Sequence, residues 1–163
     1  QMGLFSQWVL TDEIEIKATP EEIWEFFVNL EKNYINWHPE DHKKFIWEGE
    51  PMATGTKWYA EEIMHGHLFK LKGRIGEVIP NRKIVFKYGF PAAMVSPKFE
   101  WILTPAENGT RFTANGYLYA GDFYSKVGKK EMEWKIAESK RHTKEEGENL
   151  KRLMETSSIK EKK

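Results

Sequence analysis

Apolar and polar residues alternate at the start of the chain. From Trp8 to Lys17, the residues Trp8, Leu10, Ile14 and Ile16 share one parity, which predicts a strand with one face turned to a core. The period then changes. Thr19 is followed by Pro20 and, three positions on, by Glu22, a helix start in which hydroxyl and carboxylate each satisfy an orphan amide. Ile23, Trp24, Phe26, Phe27 and Leu30 then recur at helical spacing and predict an amphipathic helix. A second short helix or loop is expected through Asn33 to His42, interrupted by Pro39. After it the chain reads as strands: Phe45–Glu48, Thr56–Met64, Leu68–Ile79, Lys83–Tyr88, Lys98–Thr104 and Thr110–Tyr119. Gly49 to Gly55, Gly66, Pro80-Asn81 and Glu107-Asn108-Gly109 punctuate them, the last as a hairpin signal.

From Asp122 to about Lys151 there is no Pro, and Glu, Lys and Arg dominate, which predicts a long helix. Met132, Ile136, Thr143, Gly147, Leu150 and Met154 share one face of it. The tail Ser157 to Lys163 is expected to be frayed. A meander of about six strands needs its concave face covered, and the final helix is the element left to cover it. The expected fold is therefore α+β: a curved antiparallel sheet of about seven strands wrapped around a long C-terminal helix. Two short helices follow the first strand, in a single domain over residues 1–163.

Composition adds a cavity to this picture. Aromatics make up 14% of the 163 residues and include seven Trp, more than a core of this size needs, so large side chains remain to line a pocket. Lys+Arg and Asp+Glu both number 25, so no surplus of positive charge points to a nucleic-acid partner. There is no cysteine, which excludes disulfides, thiolate nucleophiles and Cys-held zinc; a metal site must use His, Asp, Glu or backbone oxygen. No stretch is long and apolar enough to span a bilayer and no secretory signal is visible, so a cytoplasmic protein is expected.

Three segments carry candidate chemistry. Trp37-His38-Pro39-Glu40-Asp41-His42 holds two His four apart. His142 and Glu146 lie one turn apart on the final helix and point the same way, a metal-ligand spacing, while Glu145 falls nearly opposite the apolar face and should be solvated. Glu62 shares the apolar parity of Trp58, Ala60 and Met64 and should face the cavity, where a buried carboxylate needs a positive or hydrogen-bonding partner. If Trp47 faces Trp58 in the hairpin, the start of that strand falls beside Glu62. Strict alternation would point Lys43 inward rather than His42, and His38 can reach in equally well. Taken together these give a two-His, two-carboxylate set that suits zinc. Trp58, Phe99, Trp101, Phe112 and Tyr119 are the candidates for a ligand-stacking wall, and Tyr59, Tyr88, Tyr117, Tyr119, His65 and His67 for a proton donor.

The opening "IEIKATPEEIWEFFVNLEK" and the strand order resemble the helix-grip fold of the START and polyketide-cyclase superfamily, which includes the birch-pollen allergen family. Within it, "WHPEDH", the Glu62 region and "HTKEEGENLK" are similar to the 2,4-diacetylphloroglucinol hydrolase family. That resemblance implies zinc held by His142, Glu146, Glu62 and one of His38 and His42. It also implies hydrolysis of a carbon–carbon bond next to a carbonyl in an acylated aromatic or polyketide-like molecule. The chain is shorter than those enzymes and lacks their long N-terminal part. The superfamily equally implies two alternatives: a non-catalytic carrier or sensor of a hydrophobic small molecule, or a module that stimulates a chaperone ATPase. The partners expected are a small hydrophobic or aromatic molecule and, as an open alternative, a second copy in a homodimer.

Overall fold

The computed structural model describes residues 6–120 and 129–161, with the side chains of 130 and 133–156 in the last segment. The expected helix start at Asp122 and the side chains of the expected frayed tail lie outside the described residues.

Strand β1 (Gln7–Ile16) leads into α1 (Pro20–Val28) and α2 (Leu30–Trp37). Thr19 Oγ1 accepts from the Glu22 amide at 3.1 Å and Glu22 Oε2 from the Thr19 amide at 3.1 Å, the reciprocal cap expected from the sequence. Asn29 separates the two helices: its side-chain amide bonds back to Glu25 O at 2.8 Å, closing α1 while its own backbone starts α2. The strands that follow are β2 (His42–Glu48), β3 (Lys57–Met64), β4 (His67–Ile79), β5 (Lys83–Tyr88), β6 (Lys98–Ala106) and β7 (Gly109–Tyr119). The final helix, here α3, runs Lys129–Glu161. A 3₁₀ turn at Ala92–Met94, not foreseen from the sequence, lies between β5 and β6.

The seven strands form one antiparallel sheet in the order β1-β7-β6-β5-β4-β3-β2. Each strand pairs with its sequence neighbour except β1, which crosses to β7, so the two ends of the sheet meet the helices. The concave face carries the core: Trp47, Trp58, Phe86, Trp101, Leu103 and Phe112 from the strands, Phe27, Leu30 and Trp37 from α1 and α2, and Leu150 from α3. Phe27 and Trp101 pack with ring centroids 4.5 Å apart, which seats α1 on the sheet. Gly73 lets Trp58 lie close to the strands, because a Cβ there would stand 3.1 Å from the Trp58 ring and 1.7 Å from Lys87 O. Gly147 faces β1, where a Cβ would meet Asp12 Oδ2 at 3.2 Å and Ile14 at 3.4 Å. The helix therefore packs against β1 through a small residue. No described helix is long and apolar enough to cross a membrane.

Candidate functional site

Pro39 ends α2. The residue before a proline is forced out of the helical region, and His38 has φ −145° and ψ 82°. The chain turns tightly there, with the Asp41 and His42 amides both donating to His38 O, at 3.2 and 2.8 Å. His42 then opens β2 opposite Glu62. A bulge lies between His42 and Lys44. It makes Lys43 the extra residue: Lys43 turns outward, its Nζ donating to Pro39 O at 2.8 Å, and His42 comes in on the side of Phe45. The ring of His42 stacks on Tyr34 at 3.8 Å between centroids and 3° between planes.

Helix α3 supplies the other half. The Trp37 indole N–H donates to Glu146 O at 2.8 Å and ties α2 to α3. His142 and Glu146, one turn apart, then face His42 and Glu62. Glu146 Oε2 is 3.2 Å from His42 Nε2, and its Oε1 is 3.1 Å from His142 Nε2. Glu62 Oε2 is 3.6 Å from His142 Nε2, and Glu62 Oε1 accepts from the Tyr34 hydroxyl.

The outer nitrogens fix the two tautomers. His42 Nδ1 faces the carbonyl of Tyr34 at 2.8 Å, and His142 Nδ1 faces Asp41 Oδ2 at 2.8 Å. A carbonyl oxygen and a carboxylate only accept, so both Nδ1 atoms carry hydrogen. A ring with hydrogen on Nδ1 alone turns an Nε2 lone pair toward carboxylate oxygens. His42 Nε2 is fully buried and makes no hydrogen bond. Lone pairs facing across 3.1 and 3.2 Å repel unless a proton or a cation lies between them. His42, His142 and Glu146 have the mutual spacing of metal ligands. Nitrogen and carboxylate donors, each ring braced behind by an acceptor, fit a zinc-type ion.

Charge points the same way. Arg141 hydrogen-bonds Asp41 at 3.0 Å, Glu145 at 2.5 Å, and Glu138 through both Nε and the terminal nitrogen. It thus answers three carboxylates and leaves Glu62 and Glu146, whose ion-pair partners among the described residues are imidazoles alone. Without a cation, burial would lower the His142 pKa, but Glu146 and Glu62 beside it and the bond to Asp41 hold it well above its ordinary value. Burial raises the Tyr34 and Tyr88 hydroxyl pKa values, and Glu62 and Glu146 push both further up.

Tyr34, Glu62, His142 and Glu146 of this cluster form one side of a cavity of about 470 Å³, with His42 buried behind them. Trp58, Phe69, Leu71, Tyr88, Phe99 and Trp101 line the sheet side; Ser139 and Thr143 flank His142 and Glu146 on the helix side.

Residues 7–155 match the family model described as polyketide cyclase / dehydrase and lipid transport. The chain belongs to this family. Solved structures agree on the fold. The di-domain aromatase/cyclase BexL, from the BE-7585A biosynthetic pathway, superposes with a TM-score of 0.73 at 15% identity, over 91% of this chain and 50% of that one. This chain thus spans half of the di-domain protein. The Zhui aromatase/cyclase from Streptomyces sp. R1128 gives 0.72 at 14% identity, over 92% and 94% of the two chains. Ara h 8.0201 gives 0.65 at 11% identity, over 93% and 99%. No curated protein matches the chain.

Within this family member the sequence-derived residues are placed as follows. His42, Glu62, His142 and Glu146 converge. His38, the alternative to His42, points elsewhere: its Nε2 is 2.7 Å from Glu145 and its Nδ1 accepts from the Asp41 amide at 3.2 Å. Glu145 is a correction. It is only 36% exposed and is bound by His38 and Arg141, because the turn before β2 folds over that flank of α3. Trp58, Phe99 and Trp101 line the cavity, whereas Phe112 and Tyr119 do not. Phe112 has the inward parity but is sealed behind Trp101 and Phe27, 6.4 and 5.9 Å away, in the solid part of the core. Tyr119 is on the parity opposite to the core residues Phe112 and Ala114. Among the proton-donor candidates, Tyr59 bonds Glu61, whereas Tyr88 and Tyr117 line the cavity, Tyr117 with its hydroxyl donating to Glu100. Three participants went unnoticed in the sequence: Tyr34, one turn before His38; Asp41, between the two His; and Arg141, next to His142.

Proposed function

We propose that the protein is a metal-dependent hydrolase that cleaves a carbon–carbon bond next to a carbonyl in an acylated aromatic or polyketide-like molecule. The observation that carries this reading is the convergence of the His42 and His142 Nε2 atoms and the Glu146 carboxylate at metal-ligand spacing, with Glu62 beside His142. His42, His142, Glu62 and Glu146 are the proposed ligands and zinc the proposed ion. Bound there, it would supply Lewis acidity to a ketone oxygen or to water.

The chain's own residues do the rest. The sheet-side rings, Trp58, Phe99 and Trp101, hold a planar ring by stacking and exclude water. Ser139 and Thr143 offer hydroxyls to oxygen substituents along the ring edge. The overall change is balanced: water adds to the carbonyl carbon, the bond from that carbon to the ring breaks, a carboxylic acid leaves, and the ring carbon takes a proton. Tyr88 is the candidate to deliver that proton, since it lines the cavity and a tyrosine hydroxyl is protonated at neutral pH.

The test is release of carboxylic acid from a series of acylated phenols by zinc-loaded protein, compared with chelator-treated protein. Metal-dependent release supports the reading; no release across the series by fully loaded protein removes the hydrolase. A carrier of a hydrophobic small molecule is the second reading, favoured by the apolar sheet side of the cavity. Native mass spectrometry showing a retained aromatic or lipid that loaded protein leaves uncleaved would select it. Sedimentation of the same sample reads out the homodimer expected as an alternative.

A further inference from the structure

We infer that Asp41, clamped by Arg141, is the positioning residue that sets His142 for the cation, so that the affinity of the site is controlled from behind by a charge the cation never touches. This rests on the proposed ligand set and deepens it.

The argument is geometric. Asp41 sits where the three ligand-bearing segments join. Its carboxylate accepts from His142 Nδ1 at 2.8 Å. Its backbone carbonyl accepts from the Ile63 amide at 2.7 Å, which pins the strand one residue beyond Glu62. Its chain neighbour is His42. The carboxylate is buried, and Arg141 holds it at 3.0 Å while holding Glu138 and Glu145 as well. Asp41 cannot swing toward the cation without leaving both partners. A carboxylate behind an imidazole makes the opposite nitrogen more basic and locks the ring plane, and loss of such a partner typically weakens metal binding about 10–100-fold.

A different placement has to be weighed. His38, Asp41 and His142 also have the mutual spacing of metal ligands. That position would put a divalent ion beside the Arg141 guanidinium, and it would take His142 through the nitrogen that now bonds Asp41. His38 Nε2 is moreover engaged by Glu145 at 2.7 Å. On the Nε2 side, the ion-pair partners of Glu62 and Glu146 among the described residues are imidazoles alone, and the buried His42 Nε2 faces Glu146 at 3.2 Å. The two placements predict opposite behaviour for two variants, and that decides between them.

The experiment is a chelator-competition titration with zinc, and with cobalt followed by its visible absorption, on the wild type, Asp41→Asn and His42→Ala. Asp41→Asn keeps the shape and one acceptor oxygen, so it preserves the turn, and folding is checked by circular dichroism. The inference expects Asp41→Asn to bind about 10-fold or more weakly at full stoichiometry with an altered cobalt spectrum, and His42→Ala to bind far more weakly still. Folded Asp41→Asn with wild-type affinity and spectrum overturns the inference alone. Abolished binding in Asp41→Asn with near-normal binding in His42→Ala also overturns it, by making Asp41 a ligand. A wild type that binds neither ion removes the proposed function itself, a result distinct from either of these.

Discussion

Replacing Tyr34 with Phe removes one oxygen and little else. The ring is buried at the edge of the cavity and stays stacked on His42, 3.8 Å away, so volume and packing are kept. What is lost is the hydroxyl that donates to Glu62 Oε1. Glu62 then faces the cavity with one oxygen unanswered, and a buried acceptor stripped of its donor costs about 1–3 kcal/mol, more for a charged one. For a domain of this size each 1 kcal/mol moves Tm by about 2–4 °C, so a loss of about 2 kcal/mol appears as about 4–8 °C. The assay is urea and thermal unfolding of metal-free Tyr34→Phe at pH 8 beside wild type, with the urea slope checked for constancy. The same protein should bind zinc more weakly, since the outer partner of a ligand is gone. A Tm within 1 °C of wild type and unchanged zinc affinity would refute the claim that Tyr34 supports Glu62.

Glu146→Gln should abolish tight zinc binding, whereas Glu145→Gln should leave it within a few-fold and cost at most about 1 kcal/mol of stability, because a half-exposed ion pair contributes little; equal losses in a competition titration would contradict the assignment of faces on α3. Burial raises the Asp41 pKa, but the hydrogen bonds from His142 and Arg141 outweigh it and lower the value to about 2. Its contribution to stability is therefore complete above the unfolded value near 4 and lost as pH falls toward 2, so Asp41→Asn should flatten the acid limb of a stability–pH curve. Phe112→Ala should cost about 3–5 kcal/mol in urea unfolding by opening a hole behind Trp101, yet leave the affinity for an aromatic ligand nearly unchanged per folded molecule.

Much of the architecture was legible because each element carried more than one signal. The start of α1 had its cap, its Pro and its periodicity together. Trp58, Ala60 and Glu62 on one parity placed the carboxylate correctly. The choice between His38 and His42 was not legible. It depends on the bulge at Lys43, and a single extra residue in an edge strand leaves no mark on the alternation when it and the residue after it are both Lys. Glu145 was misjudged for a related reason. A helical wheel reports which side faces the sheet, and says nothing of a turn such as His38–Asp41 folding over the flank. Phe112 and Trp101 have the same inward parity, but parity cannot tell a wall of the cavity from the packed region behind it. Arg141 was invisible as an organiser because its three carboxylate partners come from positions 41, 138 and 145.

The central claim is that two imidazoles and two carboxylates surround a cation. The direct measurement is metal content by plasma emission after loading with zinc and exhaustive dialysis, for the wild type and for His142→Ala. The account predicts one zinc per wild-type chain and close to none for the variant. Equal zinc in both proteins, or none in the wild type, would contradict it.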